Sequence, residues 1–93
     1  MSSVDTKQLR SDLYPILAEV AGVPVEHIAG ALLLSEDLSL DSLKRIEVVS
    51  RLSEKYEFDP DVETILELRT VDDVVRLMEE HLRGAAAGGA EHV

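Results

Sequence analysis

The sequence contains no cysteine and no tryptophan, which excludes disulfide bonds and thiolate metal sites. Its aromatic residues are Tyr14, Tyr56 and Phe58, so the core must consist mainly of Leu, Ile, Val and Ala. Such a core suits a helical bundle better than a β-sandwich. No basic stretch followed by an apolar run opens the chain, and no apolar run has the length needed to cross a bilayer. We therefore expect a cytoplasmic protein.

Basic residues are also few, since 9 of them stand against 19 acidic residues and the formal net charge is −10. A field of this sign repels phosphate backbones and anionic lipids, so we expect neither nucleic acid nor a membrane as a partner. At 93 residues, the chain has room for one domain. We predict a folded body at residues 1–83, a flexible Ala/Gly-rich tail at residues 84–93 and a monomer.

Apolar residues recur at helical spacing in four segments, which predicts an all-α fold. The segments begin at Asp5 or Thr6, at Ser42, after Pro60 and at Thr70, and the first ends at Gly22. Pro15 is expected to kink or loosen the first segment. The residues expected to face the core are Leu9, Leu13, Ile16, Leu17 and Val20; Leu43, Ile46, Val49, Leu52 and Tyr56; Val62, Ile65, Leu66 and Leu68; and Val71, Val74, Val75, Met78 and Leu82.

The first two segments are joined by a long connection between Gly22 and Asp41. Ordered connections of this length are usually functional. This one is rich in aliphatic residues, among them Val25, Ile28, Leu32, Leu33, Leu34, Leu38 and Leu40. A free linker would not need them, so we expect the connection to pack across the bundle.

The junction between this connection and the second helix has the residues of a modification site. Asp41 is suited to cap the helix, which places Ser42 in the first turn, where backbone N–H groups lack partners. The positive end of the helix dipole favours a phosphodiester on the Ser42 hydroxyl. Leu40 and Leu43 are expected to pack below it. The alternative is that Asp41-Ser42 only starts a helix.

The surrounding pattern favours the first interpretation. It consists of Asp37-Leu38-x-Leu40-Asp41-Ser42-Leu43, Ile46-Glu47 with Val49, Tyr56-x-Phe58, and Thr70-Val71-x-Asp73-Val74. Across about residues 6–82, this pattern resembles the acyl carrier protein family. The resemblance implies a four-helix bundle with a long first loop and a short third helix. It also implies a covalent 4′-phosphopantetheine arm on Ser42, flanked by Asp41 and Leu43.

Two features depart from the usual carrier pattern. Ser39 stands where the family usually has Gly, so we expect the loop to turn differently there. The second helix carries four basic and two acidic side chains, whereas carriers of fatty-acid synthases usually have an acidic second helix. Lys44 and Arg45 after the serine resemble carriers of polyketide and polyunsaturated-fatty-acid synthases.

A partner-docking surface is predicted on this helix, and its residues are Lys44, Arg45, Ile46, Glu47 and Arg51. The alternative is an ordinary solvated face with helix pairs such as Glu47–Arg51. His27, His81 and His92 are too scattered for a zinc site, so we predict no metal and expect these histidines to be solvated.

We predict a carrier rather than an enzyme, since no catalytic set of residues is evident. It would tether acyl intermediates as thioesters, in polyketide or specialised fatty-acid biosynthesis. Its partners would be a phosphopantetheinyl transferase and a ketosynthase, an acyltransferase or other biosynthetic enzymes. The alternatives are a carrier of primary fatty-acid synthesis and a helical interaction module without a prosthetic group.

Overall fold

The computed structural model describes the backbone of residues 6–56 and 58–91, and the side chains of these residues up to Leu82. The described residues form four α-helices, α1 (Thr6–Ala21), α2 (Ser42–Lys55), α3 (Val62–Glu67) and α4 (Val71–Glu91). A short 3-10 turn, Val25–His27, lies between α1 and α2. Helix α1 packs against α2 and α4, and α2 packs against α3. The predicted all-α bundle with a long first loop and a short third helix is confirmed.

Acidic side chains and a threonine start the last three helices. Asp41 and Asp61 cap α2 and α3, and each carboxylate accepts a backbone N–H three residues further on. At α4, the Asp73 N–H donates to Thr70 Oγ1 at 3.1 Å, and the Thr70 N–H donates to Asp73 Oδ2 at 3.1 Å. This reciprocal pair is a capping box, and it fixes the helix start that the sequence predicted at Thr70. The starting points of these helices therefore follow from local chemistry.

Helix α1 runs without a break through Pro15, and the kink or loosening expected there stays a prediction. Leu9, Leu13 and Leu17 are fully buried on either side of the proline, and this tertiary packing holds the helix together. The expected stop at Gly22 is confirmed, because Gly22 has a φ of 76° and its N–H donates to the Ala18 carbonyl at 2.8 Å. Asp5, the alternative cap, lies outside the described residues.

The long connection packs across the bundle, as predicted, and it is tied to the start of α4 by backbone hydrogen bonds. The Leu34 N–H donates to the Arg69 carbonyl at 2.8 Å, and the Val71 N–H donates to the Leu32 carbonyl at 3.1 Å. Leu33 and Thr70 form an isolated antiparallel bridge between these segments. The connection therefore gains a fixed position relative to the helices.

The core contains most of the predicted residues, with three corrections. Leu43, Val62 and Leu66 are exposed. Leu43 lies about 140° around α2 from the buried Val48, at 100° per residue. At the same angle per residue, Val62 and Leu66 lie about 40° apart on α3, and the buried Ile65 lies about 60° from Val62 and about 100° from Leu66. Val48 itself is buried and was absent from the predicted core set.

His81 also differs from its prediction, because it is half-buried rather than solvated. Its ring meets the ring of the buried Phe58 edge to face, with a centroid distance of 5.2 Å. The exposed His27 agrees with the prediction, and His92 lies outside the described residues. Of the helices in the described part of the chain, none is long and apolar enough to cross a membrane.

Helix α4 continues to Glu91, where the sequence predicted a flexible tail from Gly84. Several of these residues are alanine, which has the highest intrinsic helix propensity. The secondary structure of residues 84–91 is therefore helical, and residues 92–93 lie outside the described part. The division into a carrier domain at 1–83 and a separate tail at 84–93 stays a prediction.

Candidate functional site at the start of the second helix

Ser42 is the first residue of α2, and it is exposed to solvent. Asp41 precedes it in an extended conformation, and Asp41 Oδ1 accepts the Lys44 N–H at 2.9 Å. The capping geometry predicted for Asp41 is therefore observed. Because the first N–H groups of a helix have no intrahelical acceptors, the positive end of the dipole lies beside the serine. An accessible hydroxyl in this position fits a covalently attached phosphodiester.

The two leucines that flank this junction differ in solvent exposure. Leu40 is 1% exposed, and its N–H donates to the Leu34 carbonyl at 2.8 Å. It anchors the end of the connection in the core. Leu43 is 76% exposed, so the prediction that it packs below Ser42 is wrong. Leu43 instead places an apolar side chain on the surface directly after the serine.

Ser39 has a φ of 56°, which lies in the left-handed region that glycine favours. The expectation that the serine makes the loop turn differently is therefore wrong. The backbone adopts the conformation suited to glycine despite the Cβ atom. The buried leucines on both sides, Leu38 and Leu40, fix the chain before and after this residue and hold it in that conformation.

A turn at Leu33–Leu38 supports the junction from the connection side. The Leu33 N–H donates to Asp37 Oδ2 at 2.7 Å, and the N–H groups of Asp37 and Leu38 both donate to the Leu33 carbonyl. The sequence Ser35-Glu36-Asp37 is typical of a turn. This turn signal indicates a supporting role for Asp37, a residue that was not among those predicted for the site.

Arg45 does not project freely into solvent, as a residue of a docking surface would. Its Nε donates to the Leu40 carbonyl at 3.3 Å. Its Nη1 donates to the carbonyls of Leu66 at 3.1 Å and Leu68 at 3.3 Å, and its Nη2 donates to Ser35 Oγ. The side chain is thus shared by α2, the connection and the end of α3.

The other predicted docking residues lie on α2 in different environments. Arg51 contacts Glu19 of α1 at 2.8 Å and Glu47 at 2.9 Å, so two carboxylates offset its charge. Ile46 is half-buried against the core. Lys44 is exposed, and in the described structure its ammonium group is the α2 cation without a hydrogen-bond or ion-pair partner. Of the three predicted docking cations, Arg51 is paired with carboxylates, Arg45 is held by neutral acceptors, and Lys44 is exposed without a described partner.

The space beneath the junction is small and apolar. A cavity of about 10 Å³ lies between α2, α4 and the connection, and Leu40, Val48, Leu68 and Arg45 contribute to its lining. This volume is at the lower limit for a single water molecule. Within the described residues, no cluster of three or more His, Asp or Glu side chains could hold a metal ion.

Comparison with known proteins identifies the family. The family described as "Phosphopantetheine attachment site" matches residues 11–78. The acyl carrier protein of Chlamydia trachomatis serovar L2 is 34% identical over 73 residues, which cover 78% of this chain and 95% of the relative. The acyl carrier protein of Rickettsia bellii is 31% identical over 81 residues, with 87% and 98% covered.

A third relative, the acyl carrier protein of Streptomyces coelicolor, is 31% identical over 90 residues, which cover 96% of this chain and 98% of the relative. The matched region contains α2 and the connection before it, with Ser42 at their junction. The chain belongs to the acyl carrier protein family, whose members hold a covalent 4′-phosphopantetheine group and act as carriers rather than as enzymes.

Proposed function

We propose that this protein carries acyl intermediates as thioesters on a 4′-phosphopantetheine arm attached to Ser42. The observation that carries the proposal is the exposed Ser42 hydroxyl at the capped start of α2, inside the region that matches the family. The helix dipole there favours an attached anion. The chain's other exposed α2 serine, Ser50, lies in the middle of the helix and lacks this environment.

The protein's own part in loading is to present a nucleophile. Ser42 Oγ forms a bond to the phosphorus of coenzyme A that bears the pantetheine, and the pyrophosphate bond at that phosphorus breaks. Adenosine 3′,5′-bisphosphate leaves, and the hydroxyl proton passes to a base of the transferase. A tethered acyl group then has a high effective concentration at any active site to which the carrier docks.

Mass spectrometry of the intact protein tests the attachment site. After incubation with coenzyme A and a broad-range phosphopantetheinyl transferase, the wild type is expected to gain one phosphopantetheine. Ser42→Ala is expected to gain none, because it lacks the hydroxyl that forms the new bond. Ser50→Ala is the matched control, since it removes an exposed hydroxyl from the same helix and is expected to load fully.

The same measurement separates the alternatives. Loading of Ser42→Ala would refute the attachment site while keeping the carrier function. Failure of the wild type to load, with a transferase that modifies a known carrier, would instead support an interaction module without a prosthetic group. Circular dichroism of both variants would show whether the helices are intact.

The proposal extends to the pathway and its partners. A polyketide or specialised fatty-acid synthase, with its ketosynthase or acyltransferase, is favoured over primary fatty-acid synthesis by the basic residues that follow Ser42. The support from the structure is Lys44, which is exposed and lies within one turn of the serine. Docking of a monomeric carrier in the cytoplasm would be weak, because the carrier must leave each enzyme after transfer.

A further inference from the structure

The side chain of Arg45 makes hydrogen bonds that could not be predicted from its position in the sequence. It follows Ser42 by three residues on α2, so both side chains lie on the same side of the first turn. Its guanidinium group donates to the Leu40 carbonyl, to the carbonyls of Leu66 and Leu68, and to Ser35 Oγ. Two of these acceptors lie in the connection before α2, and the other two lie at the end of α3, so the side chain joins both segments to α2.

Three of the acceptors of Arg45 are backbone carbonyl groups, which need hydrogen-bond donors. Helix α3 has only six residues, and its last carbonyl groups accept no hydrogen bond from an N–H group of the same helix. Arg45 supplies donors to two carbonyls at this end. The Leu40 carbonyl directly precedes Asp41 and Ser42, so the same guanidinium group also holds the backbone that leads into the attachment site. A planar fork of five N–H donors can serve these acceptors together, whereas an ammonium group cannot.

Arg45 also separates two spaces. It lines the small apolar cavity of the core and the polar surface groove formed with Ser35, Glu36, Leu66 and Arg69. Leu68 lines both spaces as well. The Arg45 side chain is therefore part of the wall between the core and the surface at the seam between α2 and α3.

We propose that Arg45 is a positioning residue of the attachment site, a latch that holds α3 and the connection against the first turn of α2 and so fixes the orientation of Ser42. The part of the proposal that concerns loading rests on the proposed function, whereas the latch itself is a property of the unmodified fold. Arg45 is then not a partner contact, and the cation that remains for docking is Lys44.

Amide hydrogen exchange of the unmodified protein tests the latch. The informative amides are Leu40 and Leu68, which donate to the Leu34 and Ile65 carbonyls next to the acceptors of Arg45. In Arg45→Ala they are expected to exchange at least about tenfold faster relative to the amides of α1, because bonds from a charged donor are lost locally. Arg45→Lys keeps the charge but not the fork and is expected to behave similarly.

Arg76→Ala is the matched control, because Arg76 is an exposed arginine of α4 with a single surface ion pair to Asp73. It is expected to leave the exchange of Leu40 and Leu68 unchanged. Free guanidinium, at a concentration too low to denature the protein, is expected to slow exchange again in Arg45→Ala and to have no effect on Arg76→Ala. Should Arg45→Ala fail to fold, the exchange of Arg45→Lys is compared with that of the wild type and of Arg76→Ala instead.

Loading kinetics provide the second measurement. A latch predicts that Arg45→Lys lowers the transferase kcat severalfold while the KM for the carrier stays the same, since Ser42 is misoriented but the docking surface is intact. A higher KM that depends on salt, with unchanged exchange, would make Arg45 a docking residue and overturn the proposal. If all amides of the Arg45 variants exchanged faster by the same factor, the proposal would also be overturned, because the substitution would then lower the stability of the whole protein. If the wild type does not load, the carrier function fails, and the exchange comparison still decides the latch.

Discussion

At Ser39 the backbone stores strain that a single substitution can remove. Its φ of 56° costs a residue with a Cβ atom about 1–2 kcal/mol, a cost that glycine avoids. Glycine also gives the unfolded chain more freedom, which offsets part of the gain. We therefore expect Ser39→Gly to raise the free energy of unfolding by about 1 kcal/mol.

Urea denaturation measures this effect through the midpoint of the transition. Ser50→Gly is the control, because Ser50 is an exposed residue in the interior of α2 and glycine there should lower the midpoint. A lower midpoint for Ser39→Gly as well would show that the left-handed conformation is not strained.

Asp12 and Tyr56 join α1 to the end of α2. The Tyr56 hydroxyl donates a hydrogen bond to Asp12, and Lys55 Nζ lies 3.5 Å from Asp12 Oδ1. The bond from Tyr56, with Gln8 and Lys55, holds the pKa of Asp12 below 3.8 despite the opposing effect of burial. Burial, together with the bond to Asp12, raises the pKa of Tyr56 to about 12.

Both shifts make stability depend on pH. The lowered pKa of Asp12 contributes stability that is fully present above 3.8 and is lost as the pH falls through the folded-state pKa. The raised pKa of Tyr56 contributes stability that is fully present below 10.0 and is lost as the pH rises towards 12. We expect Tyr56→Phe to cost about 1 kcal/mol at neutral pH and to flatten both limbs of the profile.

Thermal melts across acid, neutral and alkaline pH check this prediction. Tyr14→Phe serves as the control, because the Tyr14 hydroxyl contacts Arg10 instead of a carboxylate. An unchanged acid limb in Tyr56→Phe would show that the Tyr56 bond does not set the pKa of Asp12.

At the scale of elements, the exposed charge on α2 is predicted to determine which enzymes the carrier docks to. Lys44 is exposed near Ser42, where a docked enzyme must approach, and its charge would repel the basic docking patch of a fatty-acid ketosynthase. We expect Lys44→Glu to weaken acyl transfer to the cognate synthase and to strengthen interaction with the fatty-acid enzyme. Because the contact would be solvated, the change should appear in the association rate and shrink with added salt.

Transfer assays with both enzymes at low and high salt measure the effect. Arg76→Glu, a charge reversal on α4, is the control and should change neither transfer. If both enzymes treat Lys44→Glu as they treat the wild type at low salt, Lys44 belongs to an ordinary solvated face. Arg45 is left intact in this design, because its hydrogen bonds would confound the result.

Prediction of the elements succeeded where the signal is local. Asp41, Asp61 and Thr70 mark helix starts through their own side chains, and Gly22 marks a helix end through its backbone. Prediction failed where tertiary geometry decides. The rotation of α2 sets the exposure of Leu43, and the hydrogen bonds of Arg45 depend on three segments whose meeting cannot be inferred from the residues beside it. The attachment site was therefore more predictable than the groups that support it.

At the scale of the whole molecule, the core is expected to set stability, with no contribution from the last residues. Leu52 is fully buried, so Leu52→Ala should cost about 2–5 kcal/mol. Ile46→Ala should cost less, because Ile46 is only half-buried. Deleting residues 84–93, an Ala/Gly-rich segment, should leave the melting temperature and loading unchanged. A deletion more damaging than Leu52→Ala would place this segment within the folding unit.

The backbone tie between the long connection and the start of α4 also bears on how fast the chain folds. Helical bundles usually fold quickly because most of their contacts are local. The bond from the Leu34 N–H to the Arg69 carbonyl, by contrast, closes a long loop that contains α2 and α3, and the entropy of closure must be met before the bond forms. The search for this pairing, more than the growth of any helix, would then limit the folding rate, and the junction that presents Ser42 would be among the last parts of the molecule to take shape.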